Sequence, residues 1–366
     1  MYRSKHFLYM AAVLVTAMVL SVVGCSDDNN PVTSSSPKWG WSSLGPGAGA
    51  HGFEVRALTV YGTKLIAGGQ FDSIGGVSAQ NIAAWDGSSW APLGTGVNST
   101  VLALTVFNNK LIAAGYFDDA GGQAVSYIAA WDGSSWAPLG SGMNEFVWCL
   151  SVYDNKLIAG GPFTTAGGVN TNYVAAWNGS AWTALGTGTN GYVSALATYG
   201  PRLIAGGQFT TAGATTANRV AAWNGSSWAN LGSGMDDYGP YDFTVYGTSL
   251  IAGGEFDSAG GAPANSVAAW DGSSWTPLGT GTDLQVLTVT VFDNTLIAGG
   301  NFLTADGLTV NRIAAWDGSS WTPLGTGIIG DYVASLAVYG TELIASGYFN
   351  QAGGVSTRNI AAWSLH

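Results

Sequence analysis

Val55 to Tyr61 (VRALTVY) alternates between the two sides of an extended chain and is rich in β-branched residues, which predicts a strand. A Gly-Thr turn leads into a second apolar run, KLIAGGQF. A nine-residue polar loop (DSIGGVSAQ) then precedes a third strand (NIAAW), and Asp86-Gly87 turns the chain into a fourth (SWAPLG). The same order of strands A, B, C and D recurs every 46 or 47 residues. Its first tryptophan falls at 85, 131, 177, 223, 270, 316 and 363, and its second at 41, 90, 136, 182, 228, 275 and 321. These positions hold all but Trp39 and Trp148 of the 16 tryptophans, a regularity that marks a repeat architecture.

Four antiparallel strands repeated radially predict an all-β fold, a seven-bladed β-propeller with A innermost and D outermost. Asn108-Asn109, Asp154-Asn155 and Asp293-Asn294 supply residues that tolerate positive φ between A and B. A tight turn at Asp86-Gly87 pairs Trp85 with Ser88, whereas a longer loop pairs Trp85 with Trp90. In both registers the indoles share one blade face, where they fill the gap to the neighbouring blade. The WSSLG segment at 41–45 matches only strand D, and the final unit stops after its strand C, at Ser364-Leu365-His366. The N-terminal strand is therefore expected to complete the last blade. Pro92, Pro138, Pro277 and Pro323 sit on strand D, where they discourage edge-to-edge pairing.

Of 366 residues only 9% are charged, 47% are hydrophobic and 55 are glycine. The net charge of −11, with 11 basic residues, argues against a nucleic-acid partner. Arg3 and Lys5 precede an apolar run from Phe7 to Gly24, and then comes Cys25. A basic start, an apolar stretch and small residues before a cysteine resemble a bacterial lipoprotein signal. That resemblance implies residues 1–24 as the signal and Cys25 as the lipidated first residue of the mature chain. Residues 25–38 then form a flexible tether and 39–366 the propeller. The implied location is the cell envelope, at the outer membrane, with membrane contact only through the lipid.

The repeat unit resembles kelch-type repeats in its paired strand-B glycines (AGG) and its tryptophan-to-leucine outer strand (WAPLG). It is more similar still to the IAAWDGSSW repeats of bacterial surface proteins and of fungal cortical polarity markers. The resemblance covers residues 41–366 and implies architecture, with no catalytic residues to carry over. The Gly-His partner of a WD40 repeat is absent, and no clustered arginines accompany the sialidase-like DGSSW.

Strand order places the B–C and D–A loops on one face, and variation between copies concentrates there, so this face is the expected site of binding. The positions after the strand-B glycines are Gln70, Tyr116, Pro162, Gln208, Glu255, Asn301 and Tyr348, expected as a ring around the channel mouth. Trp148, Arg56 and Tyr241 share a strand-A position that reaches toward the same face. One face of strand A, exemplified by Ala57 and Thr59, is expected to line the channel. Cys149 reads there as a small filler and Asp242 as a lone carboxylate able to meet a cation. Cleavage of the signal would remove His6 and leave only His51 and His366, and no zinc spacing or catalytic triad occurs. Neither cofactor nor catalytic residue is assigned. The expected role is a monomeric binding or scaffold module for a protein or glycan. The alternative is a carbohydrate-binding or carbohydrate-active surface protein, with Asp118, Asp236 and Glu255 as its candidate carboxylates.

Overall fold

The computed structural model describes residues 38–48 and 54–366; Cys25, the leader and His51 lie outside them. It is all-β, with seven blades of four antiparallel strands; the sheet of the last blade carries one further short strand, Val355–Ser356. In the first blade the order from the centre outward is A (Glu54–Tyr61), B (Lys64–Gln70), C (Ile82–Trp85) and D (Trp90–Pro92). The last blade is closed by the N-terminal strand. Trp39–Ser43 pairs antiparallel with Ile360–Leu365, Trp41 facing Trp363.

Trp85 pairs directly with Trp90, so the longer of the two loops connects C to D. Asp86 explains why. Its Oδ1 accepts the backbone N–H groups of Ser88 and Ser89, and its own N–H donates to the Ser89 carbonyl, closing a four-residue loop. Each strand C–D tryptophan pair then packs with tilted rings 5.3–5.4 Å apart. The second indole of every pair is buried and donates its Nε1–H to a leucine carbonyl of the preceding blade. Trp90 reaches Leu44, Trp136 reaches Leu93, and Trp41 closes the ring on Leu324, all at 2.9–3.1 Å. Seven apolar clusters fill the seven blade interfaces, each drawing residues from two neighbouring blades.

On the face opposite the long loops, tyrosines at the end of strand A tie blades together. Tyr61 donates to the Asn109 carbonyl of the next blade, and Tyr339 to that of Thr63 across the ring closure. The Asn-Asn and Asp-Asn turns hold φ values of 47–58°, as their composition predicts.

Candidate functional site

In six of the seven blades the register of strand A shifts by one residue opposite the end of strand B. In the first, Val55 faces Gly69 and Ala57 faces Gly68, leaving Arg56 as an extra residue. Leu102, Ser194, Tyr241, Leu287 and Ala334 are the extra residues of the second, fourth, fifth, sixth and seventh blades. Trp148 holds the same place in the third, where Cys149 faces Gly160. A β-bulge re-aims the side chain it displaces, and here all seven converge on one cavity of about 480 Å³ at the loop-face mouth of the channel. Tyr116, Tyr192, Gln208 and Tyr332 complete its wall.

The second strand-B glycine makes the bulge sterically possible. A Cβ at Gly69 would overlap the Glu54 carbonyl oxygen, and one at Gly347 the Tyr332 carbonyl oxygen; the five equivalent glycines meet the same obstacle. The first glycine is different. Ala114 and Ser346 replace it in the second and seventh blades, because its neighbour is mainly a side chain of the next blade.

An aromatic arc spans blades two to four. Tyr116 meets Phe146 edge-on at 4.5 Å, with Tyr127 on Phe146 at 5.3 Å. Trp148 meets Tyr192 at 5.5 Å, with Tyr173 on Tyr192 at 5.6 Å. Tyr127 and Tyr173, which immediately precede strand C, hold φ values of 65° and 74°, a left-handed conformation that costs a bulky residue energy. Each of the two thereby buttresses a ring of the following blade.

The other side of the mouth is polar. Arg56 pairs with Glu54, and the Tyr332 hydroxyl donates to the second Glu54 oxygen and accepts from Arg56 Nη2. Burial opposes the Arg56 charge, but Glu54, with smaller contributions from Tyr332 and Tyr116, outweighs it and holds the guanidinium above its usual pKa. Tyr332 is pushed up by burial and then by its bond to Glu54; Tyr241 likewise by burial and by Glu255, to which it donates at 2.6 Å.

The expected ring after the strand-B glycines thus divides. Tyr116 and Gln208 line the cavity with Trp148, Arg56 and Tyr241. Gln70, Glu255, Asn301 and Tyr348 do not belong to its wall. Gln70 pairs with Glu54 across the strands. Glu255 borders a separate acidic groove with Asp257 and Asp283, and Tyr348 packs 6.3 Å from Tyr332. The Asn301 amide donates to the side-chain oxygen of Gln285. Contrary to the expectation of a channel lined by one strand face, strand A stands edge-on to it. Consecutive residues such as Arg56, Ala57 and Leu58 border the narrow part, and Thr59 does not.

Asp242 borders that narrow part too, but its oxygens are engaged. Oδ2 accepts Val289 N–H and the Thr288 hydroxyl in the next blade, and Oδ1 accepts Phe243 N–H. Burial outweighs these bonds and pushes the carboxyl up to about 6. The Cys149 thiol is pushed far up by burial, which makes it a poor nucleophile. The candidate carboxylate pairs are loop caps: Asp118 accepts from Asn98 Nδ2, Asp119 from Gly122 N–H, and Asp236 from Asp257 and Ser258 N–H. Among the described residues no group of three or more His, Cys, Asp or Glu is placed to hold a metal ion.

Sequence reasoning missed Tyr192, Tyr332 and the buttressing Tyr127 and Tyr173. It read strand A as uninterrupted, although a glycine that never varies, opposite a position that holds six residue types in seven copies, is the signature of the bulge.

No family model matches the chain, and no curated protein matches it. Among solved structures, it is similar to the WD40 β-propeller domain of Doa1, with a TM-score of 0.56 and 12% identity, covering 89% of this chain and 97% of that one. The RRP9 WD40 repeats give 0.57 and 14%, covering 90% and 100%. The computationally designed Ika8 protein gives 0.52 and 15%, covering 87% and 99%. At such identities the likeness is one of fold: a seven-bladed propeller.

Proposed function

We propose that this chain is a binding module, tethered to a bacterial envelope through Cys25, that takes its ligand at the loop-face mouth of the channel. One observation carries the reading. Six bulges and the equivalent position of the third blade bring seven side chains from a nearly invariant repeat to one cavity, and those side chains are Arg, Leu, Trp, Ser, Tyr, Leu and Ala. A structural role would favour one residue type copied seven times, as happens at the tryptophans. A volume of about 480 Å³ falls within the roughly 300–1,000 Å³ of small-ligand sites. The cavity therefore suits a small ligand or the end of a longer chain, whether from a protein or a glycan.

Glycan and peptide arrays probed with the parent chain and with Tyr116→Ala combined with Trp148→Ala test this. Retained probes lost by the double variant are expected; probes held equally by both chains would remove the mouth as the site. The tether is tested separately. Cys25→Ser is expected to move the chain from the membrane to the soluble fraction, and unchanged fractionation would contradict lipidation. Kinship with kelch-type surface repeats fits the AGG and WAPLG signatures and remains part of this proposal.

A further inference from the structure

We propose that the aromatic arc of blades two to four is a stacking platform for an uncharged glycan, an inference that rests on reading the mouth as the binding site. The charge balance of the wall is the first support. Arg56 is its one charged side chain, and Glu54 behind it neutralises that charge in a paired, hydrogen-bonded arrangement. No carboxylate belongs to the wall, since Glu54 and Glu255 stand outside it. An anionic ligand meets no uncompensated cation, and a cationic one meets no counter-ion, so desolvating either would go unrewarded.

The second support is the shape of the chemistry offered. A pyranose presents an apolar C–H face and a rim of hydroxyls that both donate and accept. The arc contributes the rings of Tyr116, Trp148 and Tyr192 to the wall, and the face of an aromatic ring is electron-rich toward such C–H groups. Around them stand groups that match hydroxyls: phenols, the Gln208 amide and the remaining N–H donors of Arg56. The third support is preorganisation. The rings are fixed edge-to-face at interplanar angles of 71–89°, and both buttresses, Tyr127 and Tyr173, sit on strained backbone. A platform whose ordering is complete before binding loses little entropy on capture.

The test titrates the full chain, held in a sugar-free zwitterionic detergent, by calorimetry and by saturation-transfer NMR. The probes are cellotetraose, xylotetraose, mannotetraose and tetra-N-acetylchitotetraose, with tetragalacturonate and a terminally blocked tyrosine-proline peptide beside them. At least one neutral tetrasaccharide is expected to bind. Trp148→Ala and Tyr192→Ala should each weaken it tenfold or more, while Trp148→Phe recovers most of the affinity. Trp39→Ala, at an exposed tryptophan on the outermost strand, should leave it unchanged. Trp148-dependent binding of tetragalacturonate or the peptide alone would overturn the glycan assignment and leave the mouth as the site. Neutral binding indifferent to both ring deletions would overturn the platform and the mouth together, as would binding by none of the probes.

Discussion

Gly69 and Gly68 are neighbours with the same composition and different tasks. A methyl at Gly69 strikes a backbone carbonyl that cannot turn away, whereas one at Gly68 strikes mainly Val101 and Leu104 side chains. Gly69→Ala is therefore expected to cost about 2–3 kcal/mol and Gly68→Ala about 1 kcal/mol, read as the shift in urea midpoint. Equal costs would contradict the bulge as the source of the constraint. Asp242 is the residue-scale exception in the innermost ring, where the other blades carry Ala57, Ala103, Cys149, Ala195, Thr288 and Ser335. Its folded carboxyl, pushed up to about 6 from 3.8, binds a proton more tightly than the unfolded one. Stability should thus rise as pH falls from about 6 toward 4, by roughly 2–3 kcal/mol. Asp242→Thr is expected to be more stable than the parent at pH 7 and to lack that slope; a parent curve flat over this range would refute the assignment.

At the scale of elements, the C–D loops act in the opposite pH direction. Asp271 and Asp317, each accepting two backbone N–H groups and two serine hydroxyls, are held down at about 2, and Asp86 and Asp132 lower still. A depressed carboxylate stabilises the fold above its unfolded pKa of about 4 and loses that contribution as pH falls through its native value. The parent's thermal midpoint should therefore peak near pH 4–5 and decline below, and the decline should shrink when these aspartates become asparagine. A midpoint that keeps rising to pH 2 would contradict the loop geometry. These elements were legible in the sequence because turn chemistry and alternation are local: Asp-Gly, Asn-Asn and the tryptophan spacing predicted strands, turns and blade number together. The C–D register stayed open, since it depends on where the Asp86 side chain bonds. The bulge was invisible to a period-two reading, which has no place for an extra residue. Of the eleven residues in the wall of the mouth, the alternation and repeat alignment pointed to five, Arg56, Tyr116, Trp148, Gln208 and Tyr241.

For the whole molecule, closure is what separates a propeller from an open stack. Trp39–Ser43 caps the free edge of Ile360–Leu365, and Trp41 makes across that junction the same indole-to-carbonyl bond as the other six blades. Trp41→Phe leaves the Leu324 carbonyl without that buried donor and should cost about 1–3 kcal/mol. Deleting 39–43 should expose a long strand edge and cause concentration-dependent self-association, read by light scattering. A deletion that stays monomeric with an unchanged midpoint would contradict ring closure by this strand. Repeated residues hold the ring, while the position of the bulge carries six residue types in seven blades. Ala334 shows that a blade tolerates alanine at the bulge. The decisive measurement is a chain carrying Leu102→Ala, Trp148→Ala and Tyr241→Ala together, compared with the parent for thermal midpoint and for retention of the parent's best array probe. A midpoint within about 5 °C of the parent and abolished retention are expected; retained binding, or a collapsed fold, would contradict the division between scaffold and site.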